Sequence, residues 1–466
     1  MVFSSVTFLL AFLPAVLLVY YLAPRPARNY VLLLFSLLFY AWGEPIYILL
    51  MLLSIAGNYA LALWVDAARR REREKQAKTA LILTLIFNLG MLGFFKYTDF
   101  LIGTAGTLLG RTFPTLGLAL PIGISFYTFQ SMSYVIDVYR GQVQVQRNPF
   151  LLGTYVSLFP QLIAGPIVRY STVEQELTGR RESVDLFGEG ARRFIVGLGK
   201  KVLIANSVGQ LFTEISALAP AQLSVVGGWL GVIAYTLQIY FDFSGYSDMA
   251  IGLGKMFGFH FLENFDYPYI ARSITEFWRR WHISLSSWFR DYVYIPLGGN
   301  RKGKKRQYLN LLIVWMLTGI WHGAGWNFLL WGLYYALMLI LEKAFLGKIL
   351  EKLPRPLQHV YALFFIMLGW VLFSTESMTQ LGTWLAALFG AGVPFINERA
   401  LFYLGNYGVV LAAGILCCLP WKRLLSDGSK SRVLAIGETI GLTLILAASF
   451  MFLISSSYNP FLYFRF

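Results

Sequence analysis

Long apolar runs set the terms on which this chain can fold. Residues 6–22, 401–419 and 433–454 each approach or exceed the ~18–20 apolar residues that cross a hydrocarbon core. In that solvent every backbone N–H and C=O has to be satisfied within the structure, which leaves helices as the spanning element for runs of this length. Composition agrees: 57% of the residues are hydrophobic and 14% charged, whereas soluble domains carry about a quarter charged residues. The expected fold class is an all-α polytopic membrane protein of about eleven to thirteen membrane segments, several of them short or interrupted by Gly or Pro.

Charge placement then orients the chain. The first apolar run has no basic residue before it, and Arg25 and Arg28 follow it, the reverse of a signal peptide. It reads as a retained helix with its N-terminus outside. The formal net charge of +15 lies mostly in short loops, as the excess of Lys and Arg in cytoplasmic loops requires, so it marks orientation and not nucleic-acid binding. On this basis Arg25 and Arg28 are inside, WGEP (42–45) is outside and ARRREREKQAK (68–78) is inside. Residues 79–95 lead outward and PIGISFYTFQSMSYVIDVYR (121–140) returns. LLGTYVSLFPQLIAGPIVRY (151–170) carries FP and GP in mid-run and reads as a broken or re-entrant segment, tolerable only where packed in protein or lining a wet cavity.

The most polar long stretch is residues 264–310, NFDYPYIARSITEFWRRWHISLSSWFRDYVYIPLGGNRKGKKRQYLN. Phe277, Trp281, Leu285, Trp288 and Tyr292 recur at helical spacing, with Arg279, Arg280, Ser286 and Arg290 elsewhere, so an amphipathic helix at the membrane interface is expected. RKGKKR (301–306) places it on the cytoplasmic side. No fixed-period repeat, low-complexity tract or linker is visible, and residues 1–466 read as a single membrane domain.

Few residue patterns can carry chemistry. The two cysteines, Cys417 and Cys418, are adjacent in an apolar run, a spacing that offers neither a loop-closing disulfide nor a metal site. The four histidines, His260, His282, His322 and His359, are dispersed, without HExxH or similar metal pairing. GxSxG, GxGxxG and P-loop motifs are missing, and neither His282, followed by ISLSS, nor His322, followed by GAGWN, has an Asp in the next few residues. What stands out is WMLTGIWHGAGWNFLLWGLYYALMLILE (315–342), in which His322 is the one ionisable side chain before the final Glu. Gly319, Gly323 and Gly325 allow close approach, and Trp321, Trp326 and Trp331 can wall a cavity and donate N–H groups. His322 either ties helices together as a neutral ring or, since ionisable groups in membrane segments usually mark a pathway or site, serves as a general base. His282, in WRRWHISLSSWFRDY, reads equally as a half-exposed interfacial residue or as part of substrate handling. Asp242 and Asp248, in YFDFSGYSDM (240–249), can cap helices, pair with a buried Arg or line a tunnel.

Taken together, YFDFSGYSDMAIG, residues 264–301 and TGIWHGAGWNFLLWGLYYA closely resemble the membrane-bound O-acyltransferases. The similarity extends to LPIGISFYTFQSMSYVIDVYRG, FPQLIAGPIVRY and the C-terminal NPFLYFRF. The branch it looks like is the bacterial one that acetylates alginate, cellulose or peptidoglycan. The resemblance implies a ring of tilted helices, with re-entrant and interfacial helices, around a central tunnel, and a catalytic core at about residues 121–342. It implies His322 and His282 as the catalytic histidines. Trp321, Trp326, Asn327, Asp242 and Arg290 are the expected lining of the substrate route. Arg301, Lys302, Lys304, Lys305 and Arg306 are expected to meet the phosphates of a thioester donor, acetyl-CoA or an acyl carrier. No bound cofactor or metal is implied. The expected setting is the bacterial cytoplasmic membrane, with an extracytoplasmic acetyltransferase as partner. D-alanyl transfer from a carrier protein, and a polysaccharide transporter or scaffold without chemistry, are the alternatives.

Overall fold

The apolar runs form helices throughout the computed structural model of the protein, which describes residues 1–421, 432–455 and 458–462. Among the described residues there is helix, turn and loop and no strand. In chain order the α-helices are α1 (Leu13–Leu22), α2 (Arg28–Gly43), α3 (Ile48–Arg70), α4 (Glu74–Leu109), α5 (Ile124–Arg140), α6 (Pro149–Ser157), α7 (Phe159–Leu162), α8 (Tyr170–Gly179), α9 (Val184–Gly199) and α10 (Asn206–Ser216). They continue with α11 (Val225–Met256), α12 (Ile274–Arg280), α13 (Ile283–Phe289), α14 (Lys304–His322), α15 (Trp326–Leu341), α16 (Gly347–Leu350), α17 (Arg355–Ser374), α18 (Met378–Leu388), α19 (Glu398–Cys417) and α20 (Arg432–Ser455). Among the described residues six helical stretches are long and apolar enough to cross a membrane: α3, α4, Trp326–Leu350, α17, α19 and Ile436–Ser455. The protein is therefore a multi-pass, all-helical membrane protein. Phe8–Leu22 is apolar but shorter.

Two compact units divide the chain, residues 1–194 with 247–262 and residues 195–246 with 263–466. In the first, α3 packs on α4 and α5. Asn58 and Asn88 face each other across the first of these contacts, fully buried. Each donates its amide to the other's oxygen, at 3.1 and 2.8 Å, so two polar side chains in apolar surroundings satisfy one another. The segment with FP and GP is broken as its sequence requires. Helix α6 stops at Ser157, Leu158 leaves the helical region, and Pro160 opens α7. Residues 152–168 are buried without interruption, and the freed Phe159 N–H donates to Ser36 Oγ at 3.1 Å. Asp248 resolves as an ion-pair partner, of Arg193 at 2.8 Å.

The second unit holds α14 and α15 as a hairpin whose contact depends on glycine. A Cβ on Gly319 would lie 2.3 Å from the Phe328 carbonyl oxygen, and one on Gly332 would lie 2.3 Å from that of Trp315. Only residues without side chains permit this crossing. Helix α17 lies along α15, and α12 packs on both. The stretch expected as one amphipathic helix is instead two short ones, α12 and α13, because His282 adopts left-handed backbone angles, φ 45° and ψ 54°. The Asn264 carbonyl takes the Ile283 N–H at 3.0 Å, so the chain is turned by an outside partner. The periodicity still sorts the faces: Phe277, Trp281, Leu285 and Trp288 are buried while Arg279, Ser286 and Arg290 are exposed.

Candidate active site

Helix α14 ends at His322 because Gly323 turns to extended backbone, which leaves the imidazole at the hairpin's mouth. It is 6% exposed and enclosed by aromatic rings: Trp321 at 5.0 Å, Trp331 at 4.9 Å and Phe373 at 5.3 Å between centroids, all edge to face. Trp331 is itself buried, and its indole N–H has no hydrogen-bond partner among the described residues. A donor in apolar surroundings without an acceptor is costly, and it stands beside the ring expected to do chemistry.

The second histidine reaches the same place from another element. The His282 ring lies 6.1 Å from that of Trp321, so one indole separates two imidazoles that are 40 residues apart in sequence (322 − 282). His282 is 1% exposed, not half-exposed at an interface. Phe243 packs against the same ring in an edge-to-face arrangement, 4.6 Å between centroids. Lying outside the six candidate spans, it is neutral through the physiological range, since burial pushes its imidazole down to about 3. Its Nδ1 is 3.2 Å from Asn264 Oδ1.

The other expected site residues are dispersed. Trp321 is between the histidines, but Trp326 is 55% exposed. The Asn327 amide donates to the Phe373 carbonyl at 3.4 Å, so it holds the end of α17, and with it Phe373, against His322. Asp242 is buried and ion-paired with Lys201 at 2.6 Å, and it accepts the Leu462 N–H at 2.9 Å. Lys201 also donates to the Pro460 carbonyl. From YFDFSGYSDM it is therefore Phe243, and not Asp242, that touches a histidine. Arg290 is exposed and forks onto Asp291 at 2.6 and 3.0 Å. Arg301, Lys302, Lys304, Lys305 and Arg306 are exposed at the start of α14. The rise of a helix puts Lys304 about 27 Å from His322 along the axis, so the basic cluster and the histidines occupy opposite ends of α14. Asp266 and Glu276 hold Arg280 of α12 at 3.0 and 2.9 Å.

Among the described residues no group of His, Cys, Asp and Glu could hold a metal ion. Three residues that touch the histidines, Phe243, Phe373 and Asn264, were not singled out from sequence, nor was the role of Glu342 in supporting α12. Glu342 accepts the Ile274 and Thr275 N–H groups at 2.7 and 2.8 Å and the Thr275 hydroxyl at 2.6 Å. A carboxylate from the end of α15 thus caps α12, the helix that leads into His282.

Comparison with known proteins identifies relatives, two of which match along the full length of the chain. The chain is 39% identical over 503 aligned residues to the probable alginate O-acetylase AlgI of Azotobacter vinelandii, covering all of both chains. It is 34% identical over 526 to the peptidoglycan O-acetyltransferase of Helicobacter pylori, covering all of this chain and 98% of that one. Similarity to the teichoic acid D-alanyltransferase of Bacillus subtilis is 30% over 228 residues, 47% of this chain and 58% of the other. Residues 142–379, which include both buried histidines, match the model of the MBOAT, membrane-bound O-acyltransferase, family. The protein belongs to the membrane-bound O-acyltransferase family and is an O-acyltransferase.

Proposed function

We propose that the protein transfers an acetyl group from a cytoplasmic thioester, acetyl-CoA or a carrier-borne equivalent, to a hydroxyl of an extracytoplasmic polysaccharide of the alginate, cellulose or peptidoglycan type. Transfer is direct or passes through an extracytoplasmic partner protein. The observation that carries this reading is the pairing of two buried imidazoles across Trp321. His322 takes the proton of the incoming hydroxyl. Its oxygen attacks the acetyl carbonyl, the C–O bond forms, the C–S bond breaks, and the proton passes from imidazolium to the departing sulfur. The indole N–H of Trp331 is an available donor for the developing oxyanion; the Asn327 amide spends one of its two N–H groups on the Phe373 carbonyl.

Topology supports the direction of transfer. With the Arg301–Arg306 cluster cytoplasmic, His322 at the far end of α14 lies toward the outer side, where the acceptor arrives. The route from the basic cluster to the histidines is a tunnel of the kind the resemblance implies, in the bacterial cytoplasmic membrane. Full-length similarity to acetylases, against half-length similarity to a D-alanyltransferase, favours acetyl over D-alanyl as the group moved. The test is thiol release from acetyl-CoA by purified protein in vesicles with acceptor present. His322→Ala at matched folding should lower turnover by ~100-fold or more. Equal release by both proteins would return His322 to a packing role, and transport without thioester consumption would replace the enzyme reading by a transporter.

A further inference from the structure

Asn264 lies in the loop before α12 and is 1% exposed. Its side-chain oxygen is identified by its neighbours. The Ser284 backbone N–H, which can only donate, lies 3.3 Å from Oδ1, and the Ser284 hydroxyl lies 2.9 Å from it. An amide NH2 placed there would oppose the Ser284 backbone N–H, which cannot accept, so the atom is the carbonyl oxygen and the hydroxyl donates to it. The His282 Nδ1, at 3.2 Å, faces that same acceptor and has to carry the hydrogen. Ser284 Oγ is a competitor, since it is also 3.5 Å from Nδ1 and could donate to it. The shorter contact with Asn264 takes the hydroxyl proton instead. Meanwhile the Asn264 main-chain carbonyl accepts the Ile283 N–H at 3.0 Å. One residue therefore holds the backbone on the C-terminal side of His282 and one edge of its ring.

We infer that Asn264 is a positioning residue that fixes His282 as the Nδ1–H tautomer, so that Nε2 carries the lone pair and is the nitrogen that accepts a hydrogen bond or proton during acyl transfer. A neutral imidazole has two tautomers, and an accepting partner at one nitrogen makes the other the base. Phe243 and Trp321 pack edge to face with the ring, at 4.6 and 6.1 Å between centroids, and restrict its turning over. The role rests on the acyltransfer reading, whereas the tautomer does not.

The experiment is solid-state NMR of the full chain, labelled with 15N-histidine, in lipid bilayers, alongside thioester turnover. The His282 signals are identified by their loss in His282→Gln. The expected spectrum has Nδ1 protonated and Nε2 unprotonated. Asn264→Asp, whose carboxylate is also an acceptor, keeps that pattern and most of the turnover. Asn264→Leu shifts His282 toward Nε2–H and lowers turnover roughly tenfold or more. Wild-type His282 protonated at Nε2, or a pattern unchanged by Asn264→Leu, overturns the assignment. If Asn264→Leu does not fold, the wild-type and Asn264→Asp spectra decide. An Nδ1–H pattern in a protein that consumes no thioester keeps the tautomer and removes the acyltransfer reading, so the two failures are distinguishable.

Discussion

His282 holds φ at 45°, a conformation that costs ordinary residues about 1–3 kcal/mol and that Asn, Asp and His adopt more readily than others. The backbone thus restricts what can replace it. His282→Asn keeps the turn and removes the imidazole, and is expected to melt close to wild type while losing turnover. His282→Val adds strain from β-branching and should melt visibly lower. Acid acts on the same residue. Unfolded, an imidazole gains its proton near 6.5; in the fold His282 does so only near 3. Between these values the unfolded chain binds the extra proton, so stability is intact above about 6.5 and falls as pH drops, by about 1.4 kcal/mol per unit from this group alone. Unfolding of wild type and His282→Asn from pH 7 to 5 checks it: the wild-type protein should lose more, and parallel losses would remove His282 as the cause.

At the scale of elements, the site is a product of two contacts that carry no chemistry. Gly319→Ala places a methyl against the Phe328 carbonyl. The gain in helix propensity, at most about 1 kcal/mol, is smaller than the ~1–3 kcal/mol cost of overpacking. The variant should be less stable, and because His322 lies three residues on, its turnover should fall as well. Glu342→Gln keeps the shape of the α12 cap but loses its charge and one acceptor oxygen. A loss of about 1–3 kcal/mol is expected, with hydrogen exchange rising first in residues 274–280. These contacts also explain what could be read from sequence. His322 was legible because an imidazole in an apolar run is a local anomaly, and the glycines around it were legible as close approaches. The break at His282 was not. Periodicity alone continues α12 into α13, and the carbonyl that turns the chain belongs to Asn264, 18 residues earlier (282 − 264). Phe373 arrives from α17, beyond the hairpin, and Glu342 from the far end of α15, and no spacing rule connects them to His322 or His282.

Across the whole molecule the governing condition is that polar groups inside the apolar segments find partners within the protein. Asp242 shows its effect on prediction: an acidic residue in a polar island suggested a substrate route, and the fold uses it to ion-pair Lys201 and hold Leu462. The basic cluster at residues 301–306 remains exposed, and its replacement by Gln should weaken acetyl-CoA use without reducing the amount of protein inserted. Unchanged donor dependence would leave the cluster with orientation alone. Asn58 and Asn88 meet the same condition by each being the other's partner. Asn58→Leu or Asn88→Leu alone leaves the surviving Oδ1 without its donor and one N–H without its acceptor, while the other N–H keeps the carbonyl four residues back, and should cost about 1–2 kcal/mol, whereas the double change should cost clearly less than the sum. A double-mutant cycle in detergent measures the difference, and additive losses would deny the coupling. In evolutionary terms such a pair is a ratchet: the first substitution is selected against and the second is welcome only after it, so lineages should either keep both amides or have lost both, with few intermediates.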